Sequence, residues 1–185
     1  MTRITPIDPT LATGKTRLLL DDVQADSGAT PNLIKTFAHA TAALEGYLRF
    51  SRGLAYGVLD PKFREQIALA VAQANSCPYC LSAHRATATT LGAGPEEIEA
   101  SRASRSADEK QHAGLQLVQA IVVQRGRISP AALEKARRAG YGDGEIAEII
   151  SNVALNIFAN YMNHVARTEV DFPRVSLALN TRITA

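Results

Sequence analysis

The sequence predicts an all-α protein, and three observations predict it. Apolar residues recur at helical spacing along most of the chain. Helix-start signals made of a capping residue followed by proline stand before several of those stretches. No run alternates apolar and polar residues in the manner of a half-buried strand. We expect one compact helical domain of about seven helices over residues 31–173. An extended N-terminal arm would precede it over residues 1–30, and a tail would follow over residues 174–185.

In the arm, Pro6, Pro9, Gly14 and Gly28 surround the short segment Leu18-Leu19-Leu20-Asp21-Asp22-Val23. That composition predicts an extended stretch lying on the domain or on a neighbouring subunit. Thr30-Pro31 opens the first helix, and Leu33, Phe37, Ala40, Leu44 and Leu48 carry it to about Ser51, before Gly53. Asp60-Pro61 opens the next, with Phe63, Ile67, Ala70, Val71 and Ala74 as its buried stripe.

Pro78 has no N–H and would clash inside a continuing helix, but it suits the first position of a new one. Cys77 is thereby expected at an N-cap and Cys80 in the first turn of a helix running to about Leu91. Gly92 and Gly94-Pro95 then lead into a short helix, Glu96 to Ser101. Ser106-Ala107-Asp108-Glu109 has the form of a capping box, ahead of Leu115, Val118, Ile121 and Val122. Ser129-Pro130 starts a helix that stops at Gly140. The longest helix follows the Gly142-Asp143-Gly144 turn and carries Ile146, Ile149, Ile150, Val153, Ile157 and Tyr161 to about Thr168.

Composition excludes several classes of function. The 20 basic and 18 acidic residues are interspersed and leave a formal charge of only +2, so no electrostatic footprint for nucleic acid or anionic lipid exists. No apolar run approaches the roughly 20 residues of a membrane span. Met1 to Thr16 holds prolines and charges in place of the apolar core of a secretory signal, which leaves the cytoplasm as the expected location.

Both cysteines of the chain fall in one C-x-x-C, Cys77-Pro78-Tyr79-Cys80. In a reducing compartment such a pair points to redox or metal chemistry rather than to a structural staple. Helical spacing puts Cys77, Cys80 and His84 on one face. A helix N-terminus and a nearby imidazolium both favour the thiolate, which is the nucleophilic form. Glu65, on the preceding helix, could orient His84 and relay its proton if a tight join at Pro78 folds the two helices together, and Tyr79 could add a hydroxyl to the same network. Glu145 and His164 repeat the spacing of Glu65 and His84, a hint of internal duplication.

The pattern Glu65-x11-Cys77-x2-Cys80-x3-His84, within Asn75-Ser76-Cys77-Pro78-Tyr79-Cys80-Leu81-Ser82-Ala83-His84, resembles the core motif of the alkylhydroperoxidase D-like (AhpD-like) branch of the carboxymuconolactone decarboxylase family. Leu69 to Ala72, Leu91-Gly92, the stretch Asn156 to Asn163 and Asp171-Phe172-Pro173 extend the likeness over roughly residues 30–173. The resemblance implies a helical homo-oligomer, trimer or hexamer, that reduces a hydroperoxide and is recycled by a dithiol protein or small thiol. It implies no cofactor beyond a redox-active Cys77–Cys80 disulfide, and no metal. Cys80 would be the peroxidatic thiol, Cys77 the resolving thiol, and Glu65 with His84 the proton relay. The best-known members carry histidine where this chain has Tyr79, and a phenol is a poor base at neutral pH.

Other readings stay open at this level. Cys-Pro-Tyr-Cys is also the glutaredoxin string, but that fold needs strands which the pattern does not contain. It leaves open which cysteine attacks first. Zinc would need four ligands, and His39, His112 and His164 are scattered. A decarboxylase-like enzyme that works without the thiols, or a helical assembly protein with a structural C-x-x-C, would also fit an all-α chain.

Overall fold

The structure, a computed structural model, describes residues 1–179, so residues 180–185 of the expected tail lie outside the described residues. Among the described residues it is all-helical, with nine α-helices where about seven were expected. They are α1 (Gly14–Ser27), α2 (Asn32–Phe37), α3 (Thr41–Ala55), α4 (Pro61–Ala74), α5 (Pro78–Thr90), α6 (Pro95–Arg102), α7 (Glu109–Val123), α8 (Pro130–Arg138) and α9 (Asp143–Ala166). A single 3-10 turn, Pro9–Leu11, precedes them.

The axis of the fold is α4, which packs against α5, α6, α7 and α9. Asp60 caps it by accepting from the N–H groups of Lys62 and Phe63, and Pro61 fills its first position. Residues 66–72 are buried without a break, so this helix is apolar nearly all round, as a central helix must be. One of its faces joins Phe37, Leu44, Tyr79 and Leu81 in a first core cluster. The opposite face joins Leu115, Val118, Ile149 and Val153 in a second. Both cysteines belong to the first. Leu44, Leu69 and Leu81 there are at most 1% exposed. Burial of a side chain of that size contributes about 1.5–3 kcal/mol, enough to hold α5 firmly on α4.

Two expectations are corrected by tertiary contacts. The arm is not extended throughout, because Gly14–Ser27 is a helix. Only Leu20 is fully buried on it, so its periodicity is faint, and ion pairs from Lys15 to Glu45 and from Arg52 to Asp26 hold it against α3. The helix expected over Pro31 to Ser51 is two helices. The chain breaks at Ala38–Ala40, where His39 Nε2 donates to the Thr5 carbonyl at 2.8 Å. That break lets Phe37 stack on Tyr47 at 4.8 Å between centroids.

Smaller differences concern caps. Thr30 turns its hydroxyl to Gln24 in place of capping α2, and Asp108, not Ser106, caps α7. The hint of duplication has no structural counterpart. Glu145 bonds Lys110 and the Gly142 N–H at the start of α9, while His164 lies near its other end, on the order of 28 Å along the helix.

Candidate active site

The site is built at the junction of α4 and α5. After Ala74 the chain closes α4 with a left-handed residue, Ser76 (φ 52°). The Ser76 N–H reaches the Gln73 carbonyl and the Cys77 N–H reaches that of Ala72, a Schellman arrangement. A serine in this region costs roughly 1–2 kcal/mol, which the surrounding contacts must supply. Asn75 Nδ2 donates to Asn160 Oδ1 at 2.9 Å, and His164 Nε2 donates to the Asn75 carbonyl at 2.8 Å, both from α9.

Cys77 therefore ends one helix and starts the next. Its Sγ accepts from the Cys80 N–H at 3.3 Å, as an N-cap side chain does. The two cysteines lie within disulfide distance, with Cα atoms 5.4 Å apart. Both are almost completely buried, Cys77 at 1% and Cys80 at 2% exposure. The partner of Cys80 Sγ is Asn163 of α9, whose Nδ2 donates at 3.3 Å.

One turn further along α5, His84 faces Glu65 of α4. Nδ1 of the ring lies 2.8 Å from Glu65 Oε2, and since a carboxylate only accepts, Nδ1 carries the hydrogen. Burial by itself pushes the pKa of His84 down. The charge of Glu65, its hydrogen bond and a further bond to the Asn156 side chain outweigh that and raise it above the usual histidine value. The pair thus makes the imidazole easier to protonate at a position one helical turn beyond Cys80. Tyr47 stands close by, its phenol pushed up to about 12 by burial and by the Glu65 charge.

Of the five residues singled out from the sequence, the fold brings Cys77, Cys80, Glu65 and His84 to one junction, in two couples. Cys80 bonds Asn163, whereas His84 bonds Glu65 and Asn156. Tyr79 stands apart from the Glu65–His84 couple, although it lines a pocket together with Cys77. Its hydroxyl accepts from the Leu33 N–H at 3.0 Å and bonds Asp171, its ring packs edge-on to Phe172, and burial raises its pKa first of all. The reason is the 100° step of a helix, which turns position 79 away from the face shared by 77, 80 and 84.

Sequence reasoning missed the asparagines of α9. Asn152, Asn156, Asn160 and Asn163 are all buried and line one face of that helix. Their i, i+4, i+8, i+11 spacing was the available signal. Four amides at core positions of an otherwise apolar helix require partners, and two of them serve the site.

Among the described residues, no group of three or more His, Cys, Asp or Glu side chains is placed to hold a metal ion. No helix among them is long and apolar enough to cross a membrane.

Residues 37–121 match the model of the carboxymuconolactone decarboxylase family. That span contains Glu65, Cys77, Cys80 and His84, so the resemblance read from the motif is borne out there. Solved structures of the same fold include an uncharacterized peroxidase-related protein with an AhpD core from Ralstonia eutropha JMP134. It is 22% identical, with a TM-score of 0.83 over 92% of each chain. An uncharacterized peroxidase-related protein from Silicibacter sp. TM1040 is 24% identical, with a TM-score of 0.78 over 90% of this chain and 91% of that one. The debrominase Bmp8, as a cysteine-to-alanine variant in complex with 2,3,4-tribromopyrrole, is 18% identical, with a TM-score of 0.79 over 92% of each chain. At these identities the likeness is one of fold. No curated protein matches the chain.

Proposed function

We propose that this protein is a thiol-dependent hydroperoxidase that cycles Cys77 and Cys80 between dithiol and disulfide. The observation that carries the reading is the pairing of Cys77 and Cys80 within disulfide distance, one helical turn before a histidine whose pKa Glu65 raises. In this reading the Cys80 thiolate attacks the outer oxygen of a hydroperoxide and the O–O bond breaks. The departing alkoxide takes a proton from His84, and Cys80 becomes a sulfenic acid. Cys77 then attacks Cys80 Sγ, water leaves, and the disulfide forms. An external dithiol protein or small thiol restores the pair. Asn163 assists by donating to whichever form of Cys80 carries negative charge.

No cofactor or metal enters this cycle. A cytoplasmic homo-oligomer belongs to the same reading, and exposed Val123, Ile150, Tyr161 and Val165 on α7 and α9 offer it an apolar face. The fold shared with a debrominase supplies the rival, the removal of bromine from a ring such as a bromopyrrole.

The deciding experiment adds tert-butyl hydroperoxide to the reduced protein and follows peroxide and free thiols together. One peroxide lost per two thiols is expected, and Cys80→Ser should abolish it. Unchanged peroxide loss in Cys80→Ser would overturn the proposal, as would bromide release from a bromopyrrole by a protein inert to peroxides.

A further inference from the structure

A pocket of about 430 Å³ opens beside Cys77, between the start of α5 and the end of α9. Cys77 lines it, and Cys80 does not. Its other walls include Arg3, Asn163, His164, Arg167 and Thr168, and no carboxylate lines it among the described residues. The basic residues are held there by backbone. The N–H groups of Arg3 and Ile4 both donate to the Ala166 carbonyl, which lays the N-terminus over the end of α9. Arg167 is the left-handed C-cap of that helix. Neither arginine has an ion-pair partner among the described residues, and no acidic side chain in the pocket lining offsets them.

Two buried polar atoms on the same wall also lack partners. Thr168 is 8% exposed and its Oγ1 makes no hydrogen bond; Asn163 is 5% exposed and its Oδ1 makes none. Buried hydroxyl and amide oxygens are nearly always satisfied, so two lining residues that each bury an unpartnered oxygen leave polar capacity unused next to this pocket. Cys77 and Pro78, the N-cap and first residue of α5, both line it, so the positive end of that helix borders the same space. The lining thus sets positive charge without an ion-pair partner, from Arg3 and Arg167, in the same pocket as Cys77.

We propose that this pocket is a carboxylate subsite, and that the molecules meeting the disulfide at Cys77 are small carboxylate-bearing thiols. Arg3 and Arg167 hold the carboxylate, while the thiol end lies against Cys77. The incoming thiolate attacks Cys77 Sγ, the S–S bond breaks, and Cys80 departs with the electron pair as a thiolate that Asn163 bonds. A second thiolate attacks the external sulfur of the mixed disulfide and releases Cys77. Two thiols are oxidised to one external disulfide, and their two protons end on Cys77 and Cys80. The reaction half of this proposal rests on the redox reading above; the binding half does not.

Two measurements on the full-length oxidised protein test it. The first compares disulfide reduction by 3-mercaptopropionate, neutral 2-mercaptoethanol and cationic cysteamine, each corrected for its thiolate fraction. The carboxylate thiol is expected to be faster than the neutral one by roughly tenfold, with the cationic one slowest. That ratio should fall toward one in Arg3→Gln with Arg167→Gln and at high salt, and Arg167→Lys should keep most of it. A ratio near one in the native protein overturns the proposal.

The second measurement titrates propionate and follows backbone amide shifts. Saturable shifts at Asn163 and Thr168 that vanish in the double variant are expected, and their absence overturns the subsite even if thiols reduce the pair. Propionate binding without reduction by any thiol would instead sink the redox reading and leave the carboxylate subsite standing.

Discussion

Nδ1 of His84 and Oε2 of Glu65 lie 2.8 Å apart across the α4–α5 junction, and the couple is only partly exposed to solvent. Because the folded state raises the pKa of His84, it binds a proton there more tightly than the unfolded chain does. The stability this contributes is fully present below the unfolded value of about 6.5 and is lost as pH rises through the raised folded value. Urea unfolding of the native protein and of Glu65→Gln should therefore differ most below the unfolded histidine value and converge as the pH rises through the raised folded one. An NMR titration of the ring should show the His84 midpoint falling in Glu65→Gln. A stability gap of the same size at every pH would remove Glu65 as the source of the shift.

Asn163 is the only side chain found donating to Cys80 Sγ among the described residues. Replacing it with alanine removes a hydrogen bond that strengthens when the sulfur is charged, a loss of roughly 1 kcal/mol. Alkylation of reduced Cys80 by iodoacetamide, quantified by mass spectrometry, should slow by about fivefold in Asn163→Ala. Circular dichroism should meanwhile keep the helical signal. An unchanged alkylation rate would mean that the contact is packing alone.

Tyr79 makes the opposite case. Its hydroxyl serves the buried N–H of Leu33 and the side chain of Asp171; Tyr79→Phe leaves the Leu33 N–H without its partner, while exposed Asp171 keeps the Asn32 N–H. Stability should drop by about 1–3 kcal/mol, which in a domain of this size is a fall in Tm of roughly 3–10 °C. Hydroperoxide turnover below the new melting point should stay near the native rate. Loss of turnover with Tm intact would return Tyr79 to the reacting network.

Much of the junction was legible in the chain because its signals are local. A proline after Cys77 dictates where α5 starts, and helical geometry then sets Cys80 and His84 one turn apart on one face. Asp60-Pro61 likewise announces α4 and thereby the helix that carries Glu65. The break at Ala38–Ala40 was not legible, because it is held by His39 reaching the carbonyl of Thr5, a partner distant in sequence. Helix α1 was missed because a helix resting one leucine on a core leaves almost no periodic trace.

What the sequence by itself determined is the all-α class, the position of the C-x-x-C at a helix start, and the local register of Cys77, Cys80 and His84. These follow from φ restriction at proline and from the 3.6-residue turn, which act within a few residues. Only the tertiary structure decided which groups those side chains meet. The packing of α9 on α4 and α5 gives Cys80 to Asn163 and His84 to Asn156, and the return of the N-terminus over α9 sets Arg3 beside Cys77. Such pairings join residues tens of positions apart. They depend on how the helices settle against one another to bury their apolar faces, a balance that no local stretch of sequence contains.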